Sequence, residues 1–223
     1  IACANLESRE TPLAPSAQTL ITAGPLQARA MDLSDIRAVR ASHRASALLA
    51  KRAGYDIVYV YAGHDLSLAQ HFLLPRYNQR RDEYGGSLEN RVRLLRELIE
   101  DTKEAVGDTC AVAVRLAVDE LLGADGIEAA GEAPDIIAML AELPDLWDVN
   151  ISNWSNDSQT ARFAEEGYQD GYTAFVKSLT SKPVVGVGRY TSPDRMAAMV
   201  AKGALDFIGA ARPSIADPFL PKK

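Results

Sequence analysis

Between Leu88 and Val106 the apolar positions fall at one spacing: Leu88, Val92, Leu95, Ile99, Thr102 and Val106 stand 4, 3, 4, 3 and 4 residues apart. That spacing lines up one face of a helix. Ser87 is a good N-cap for it and Gly107 a natural end. An earlier helix is expected from Ser34, as its cap, to about Arg52, with Asp35 favourably placed in the first turn. Its apolar face holds Ile36, Val39, Ala47 and Ala50, interrupted by His43, and Gly54 would stop it. Asp56-Ile57-Val58-Tyr59-Val60-Tyr61 then reads as a buried strand, rich in β-branched and aromatic residues, and a long polar loop follows to Gly86. Further strands are expected at Ala111 to Leu116, Trp147 to Ile151, Pro183 to Val187 and Leu205 to Gly209. Helices separate them at Pro134 to Leu143 and Tyr172 to Leu179. A last helix starts at Ser192-Pro193, a cap followed by proline at the first helical position, and ends near Lys202 at Gly203. The opening stretch, Ile1 to Met31, holds three prolines and reads as loop.

Five strands separated by helices predict a parallel sheet. No Gly-x-Gly-x-x-Gly turn follows any strand, which disfavours an open dinucleotide-binding sheet. A complete eight-unit barrel needs ~250 residues. Five units plus a long loop fit 223 residues as an incomplete (β/α)8 TIM barrel, lacking its first strands and its last helix. The chain opens at Ile1 without a methionine and closes soon after a strand, so it is expected to be a fragment.

Composition narrows the function. Hydrophobic residues make up 47% of the chain, as in ordinary globular domains. The net charge is -6 with no basic stripe, which argues against a nucleic-acid or membrane-surface partner. No apolar run approaches the ~20 residues of a membrane span. Cys3 and Cys110 make neither a disulfide framework nor a metal-spaced cluster, so a cytoplasmic location is expected.

The chemistry-bearing residues fall at strand ends, where a barrel carries its site. Tyr61 and His64 follow the first strand, and Arg115 closes the second. Trp154 and Asp157 follow the third. Gly186-Val187-Gly188-Arg189 and Gly209-Ala210-Ala211-Arg212 follow the last two. Each alone has an ordinary structural explanation, but chance would scatter them over both ends. Glycines let backbone N–H groups approach an anion, and arginine offers a fork of donors to phosphate. A phosphate-bearing ligand is therefore expected near Gly188, Arg189, Gly209 and Arg212. That alone does not say which cofactor.

The segment Asn78-Gln79-Arg80-Arg81-Asp82-Glu83-Tyr84-Gly85-Gly86-Ser87-Leu88-Glu89-Asn90-Arg91 closely resembles the signature of the old yellow enzyme superfamily. The resemblance extends over essentially the whole chain. Asn5-Leu6-Glu7-Ser8-Arg9, Asp56 to His64, Gly186 to Thr191 and Ala211 to Pro221 look like its trimethylamine, dimethylamine and histamine dehydrogenase branch. Such proteins are cytoplasmic bacterial enzymes that place FMN on a barrel. They carry a 4Fe-4S cluster just beyond it and add nucleotide-binding-type domains. The resemblance implies FMN-dependent oxidation of a small amine, with electrons passing to the cluster and on to an acceptor protein. It leaves a homo-oligomer open.

The same resemblance implies roles for single residues. Tyr61, His64 and Asp157 match a hydrogen-bonded set at the amine, with Asp157 orienting His64. Trp154 matches an aromatic wall of the substrate bowl, and Arg115 the positive charge at the N1–C2 edge of the flavin. Gly188, Arg189 and Arg212 match the phosphate end. Alkene reductases of the superfamily usually show His-x-x-His or His-x-x-Asn where this chain has Tyr61-Ala62-Gly63-His64. Tyrosine there, with Trp154 and Asp157, favours amine oxidation. The alternatives are an NAD(P)H-dependent reductase of conjugated alkenes of the dienoyl-CoA type, and a non-catalytic, incomplete scaffold. Neither Cys3 nor Cys110 matches a flavin or cluster ligand.

Overall fold

The computed structural model describes residues 10–20 and 26–222; Cys3 and the Asn5-to-Arg9 segment lie outside them. Part of the expected opening loop is sheet: β1 (Leu13–Ala14), β2 (Gln18–Leu20) and β3 (Leu26–Ala30). β3 takes β1 parallel on one side and β2 antiparallel on the other. In β3 only Ala28 is buried, so no apolar face announced the strand.

Helix α1 (Leu33–Arg52) ends where expected but is capped differently. Asp32 accepts from the Ser34 and Asp35 amides at 2.7 and 2.8 Å, and Asp35 accepts from the Asp32 amide at 2.9 Å. This reciprocal capping box leaves Ser34 inside the helix rather than at its cap.

The larger sheet has five parallel strands in sequence order: β4 (Ile57–Ala62), β5 (Ala111–Asp119), β6 (Leu146–Ile151), β7 (Val184–Gly186) and β8 (Phe207–Ile208). β4 is buried on one face only. Val58, Val60 and Ala62 are inside, whereas Ile57 and Tyr59 are 42% and 47% exposed. It is the edge strand, paired only with β5 among the described residues.

Helix α3 (Leu88–Val106) has the expected Ser87 cap and ends at Gly107. Of its periodic positions, Val92, Leu95, Ile99, Thr102 and Val106 are buried and Leu88 is half-buried against the core. The helix lies on β4 and β5. It is flanked by α1, α2 (Leu68–Leu73) and α4 (Ala133–Leu140). Burying each such aliphatic side chain contributes about 1.5–3 kcal/mol. α2 interrupts the expected polar loop; its six residues are all buried, too few to show a helical period.

Helix α5 (Trp154–Phe163) was also not expected, because its sequence is mostly polar. The single helix expected at Tyr172 to Leu179 is two short ones, α6 (Asp170–Thr173) and α7 (Val176–Leu179). α8 (Pro193–Ala201) starts from the Ser192 cap as expected. After β8 comes a short helix, α9 (Ala211–Ala216), where no helix was expected. No helix among the described residues is long and apolar enough to cross a membrane.

The superfamily-like segment proves to be a clamp. The Asn78 amide donates to Phe72 O and Tyr84 O, both at 2.7 Å. Arg80 donates to Pro15 O at 2.9 Å and Met31 O at 2.5 Å, tying the small sheet on. Arg91 pairs with Glu132 at 2.5 Å and also donates to Leu73 O. A Cβ at Gly85 would lie 2.4 Å from Arg80 O, so only glycine fits.

Candidate functional site

The backbone is unusual where the parallel strands end. Among the described residues, the non-glycine positions with positive φ are His64, Asp65, Leu121, Ser152 and Arg189. All of them follow a strand of the larger sheet. Each such conformation costs on the order of 1–3 kcal/mol and persists only where its surroundings hold it.

A buried polar network supplies that hold after β4, β5 and β6. Glu120, fully buried after β5, takes Arg76 at 2.8 and 3.2 Å, the Ile127 amide at 3.0 Å and Asn153 at 3.3 Å. Arg76 also lies 3.4 Å from Asp65, which receives Tyr77 at 2.7 Å and pairs with His71 at 3.0 Å. His71, Tyr77 and Arg76 together hold the Asp65 carboxyl below its usual range, against the effect of burial. The loops after β4, β5 and β6 are thereby stapled to one another.

In front of this network the side chains line up by register. Tyr61, Arg115, Asp148, Val185 and Phe207 form one row across the strands. Arg115 pairs with Asp148 at 3.1 Å. Burial pushes the Asp148 carboxyl up, while Arg115 pulls it down.

Beyond the row sits His64. Its Nδ1 is 2.6 Å from the Tyr61 hydroxyl, and its Nε2 is 2.6 Å from Asn150 Nδ2. Asp157 Oδ1 is 3.7 Å from the same Nε2, outside hydrogen-bond range. Burial lowers the His64 pKa, Asp157 raises it, and Arg115 lowers it further. Burial also raises the Tyr61 pKa.

A cavity of about 480 Å³ opens over these strand ends. Its wall includes His64, Arg115 and Asp157, and also Gly188, Arg189, Gly209 and Arg212. Tyr61 reaches it through His64. Trp154 does not line it: the residue is 58% exposed, and its backbone amide ties in by donating to His64 O at 3.1 Å. The two glycine turns lie against each other. The Gly209 amide donates to Gly186 O at 2.9 Å, and a Cβ on Gly209 would fall 2.6 Å from the Val187 side chain. The exposed Arg189 donates to Ala164 O at 2.7 Å. The floor thus pairs a positive, glycine-lined end with a histidine-centred polar end.

Four residues of this site were not anticipated. Asp148 and Asn150 alternate with Trp147, Val149 and Ile151 along β6, and that period of two is a readable signal for residues facing away from the apolar core. Tyr168 and Gln169 also line the cavity, from an irregular segment. Gln169 donates to the Tyr168 hydroxyl at 2.9 Å and accepts from the Ile151 amide at 3.1 Å. They carry no pattern that sequence could expose.

Residues 2–223 match the family described as NADH:flavin oxidoreductase / NADH oxidase family. Dimethylamine dehydrogenase of Hyphomicrobium sp. (strain x) is 40% identical over 195 residues, covering 86% of this chain and 26% of that protein. The structure of 6-hydroxypseudooxynicotine amine oxidase (HisD) from Pseudomonas geniculata N1 is 56% identical, with a TM-score of 0.92. The match covers 96% of this chain and 32% of that one. Histamine dehydrogenase from Rhizobium sp. 4-9 is 52% identical with a TM-score of 0.90, covering 96% of this chain and 31% of that one. The chain spans about a quarter to a third of the length of these relatives.

Proposed function

The chain belongs to the NADH:flavin oxidoreductase / NADH oxidase family, and on that premise we propose that it is the FMN-binding part of a longer enzyme that oxidises a small amine. The observation that carries this reading is the single cavity shared by the His64 cluster and the two glycine–arginine turns. Its residues suit FMN. Gly188 and Gly209 line the cavity without side chains, the Gly209 amide itself being taken by Gly186 O, and Arg189 and Arg212 add the charged donors for a phosphate. Arg115 supplies a positive charge deeper in the same wall, suited to the N1–C2 edge of the flavin. When bound, FMN supplies the two-electron acceptor for the amine.

The chain's own residues then divide the remaining work. Tyr61 and His64 hold or receive the proton of the amine, because only the neutral amine is readily oxidised. Asp157 brings negative charge to the cavity wall, which draws in an alkylammonium. Trp154, exposed and outside this cavity, could serve as the aromatic wall that the resemblance implies only if its indole turned toward the amine. We place the five parallel strands as part of a (β/α)8 barrel, with residues 1–223 as the partial FMN domain. Iron–sulfur and nucleotide-binding-type domains would follow in the longer, cytoplasmic protein, with the 4Fe-4S ligands outside this chain. Electrons would leave through that cluster to an acceptor protein.

The test is anaerobic. The full-length, FMN-loaded protein is mixed with trimethylamine, dimethylamine or histamine, and separately with NADH or NADPH. Bleaching of the flavin by an amine within seconds, and slower bleaching by the nicotinamides, is expected. Rapid bleaching by NADPH with none by any amine would move the assignment to an alkene reductase.

A further inference from the structure

The tie between Asp157 and His64 that the sequence suggested is not a hydrogen bond, because 3.7 Å separates the two atoms. Nε2 is taken instead by Asn150, 2.6 Å away and 1% exposed. The chemistry of the amide settles which way the proton lies. The Asn150 atom that faces Nε2 also lies 3.3 Å from Ile151 O. A carbonyl oxygen only accepts, so the amide nitrogen belongs there; the opposite orientation would set two oxygens face to face. With the nitrogen donating, Nε2 must be the unprotonated acceptor and the ring proton must sit on Nδ1. Asn150 Oδ1 has no hydrogen-bond partner in return, so the amide is held by its nitrogen alone.

We propose that Asn150 is the positioning residue of this site, holding His64 as the neutral imidazole with its proton on Nδ1, directed at the Tyr61 hydroxyl oxygen 2.6 Å away. The assignment rests on the reading that the Tyr61–His64 pair handles the proton of an amine. Its consequence is a division of labour. A donor on Nε2 opposes protonation there. It leaves His64 to support negative charge on the Tyr61 oxygen through Nδ1–H, rather than to consume the phenolic proton. The groups facing His64 are Tyr61 from β4, Arg115 from β5, Asn150 from β6 and Asp157 from α5. Arg115 works in the same direction as Asn150, and Asp157 alone works against it.

The experiment uses the full-length, FMN-loaded protein with ring-labelled histidine, read by nitrogen and carbon chemical shifts across a pH titration. Wild type is expected to show His64 as the Nδ1–H tautomer. Asn150→Asp places a carboxylate on Nε2 and should raise the His64 pKa by about 1–3 units. Asn150→Ala frees Nε2 toward Asp157 and should raise it by less, which keeps the test intact if the aspartate variant does not fold. Asp157→Asn should leave the tautomer unchanged. A wild-type Nε2–H tautomer would overturn the proposal. So would a tautomer change in Asp157→Asn with none in either Asn150 variant. If an amine reduces the flavin, the lower limb of the pH profile of reduction should move with the His64 pKa. If no amine does, the functional reading falls, while the ring shifts still decide the role of Asn150.

Discussion

At the scale of single residues, the site is a set of charges and donors fixed by neighbours rather than by their own flexibility. Arg212 illustrates the ligand side. It lines the cavity next to Gly209, and in the proposed site it gives a charge-assisted bond to phosphate. Such a bond contributes about 1.5–3 kcal/mol. Arg212→Ala in the full-length protein should therefore weaken FMN binding roughly ten- to hundredfold, read by titrating the apoprotein with FMN. Unchanged affinity would remove the arginine from the phosphate end. The residues that sequence could identify were those whose type was out of place, such as Arg115 in an apolar run and His64 after a strand. What it could not supply was pairing. Asp157 was the natural partner for His64 by chemistry, but α5 sets its carboxylate at 3.7 Å while β6 delivers Asn150 at 2.6 Å. Trp154 is likewise legible as a residue but not as a direction. As the first residue of α5 it spends its backbone amide on His64 and remains largely exposed.

At the scale of elements, amphipathic period decided what was readable. α3 was legible from cap to end because one stripe of it packs on β4 and β5. Leu95, fully buried in that stripe, gives the direct check. Leu95→Ala should destabilise by about 2–5 kcal/mol, the cost of lost transfer plus a residual cavity, read by denaturant unfolding. A loss below 1 kcal/mol would mean that the stripe is not the core. Elements without a stripe stayed hidden. α5 is mostly polar, α2 is six residues buried on all sides, and β1 to β3 hold together by backbone pairing, with Ala28 the one buried residue of β3. The clamp from Asn78 to Arg91 was legible only as a resemblance, since its purpose is tertiary: it joins the small sheet, α2 and α4.

At the scale of the whole molecule, strand order followed from the alternation of strands and helices, and the cavity followed from strand order. Two half-buried histidines, His43 and His64, give the assembly a pH dependence. Burial lowers the pKa of both His43 and His64 in the folded chain. In the unfolded chain both return to about 6.5. Between the lowered values and about 6.5 the unfolded state binds more protons. Stability therefore rises with pH through that window and is lost as pH falls through it. The melting temperature should drop between pH 7.5 and 5.5, and His43→Gln, at the contact of α1 with Thr102 of α3, should flatten the change. A melting temperature that rises on acidification would contradict the burial of these rings as neutral groups.

The central claim is that one cavity holds both the flavin and the amine. The most direct test is a crystal structure of the full-length protein with FMN and a slowly reacting amine bound. The account predicts phosphate at Gly188, Arg189, Gly209 and Arg212, with Arg115 against the flavin ring. It predicts the amine nitrogen within hydrogen-bond reach of Tyr61 or His64. Flavin phosphate elsewhere, or an amine seated away from the Tyr61–His64 pair, would contradict it.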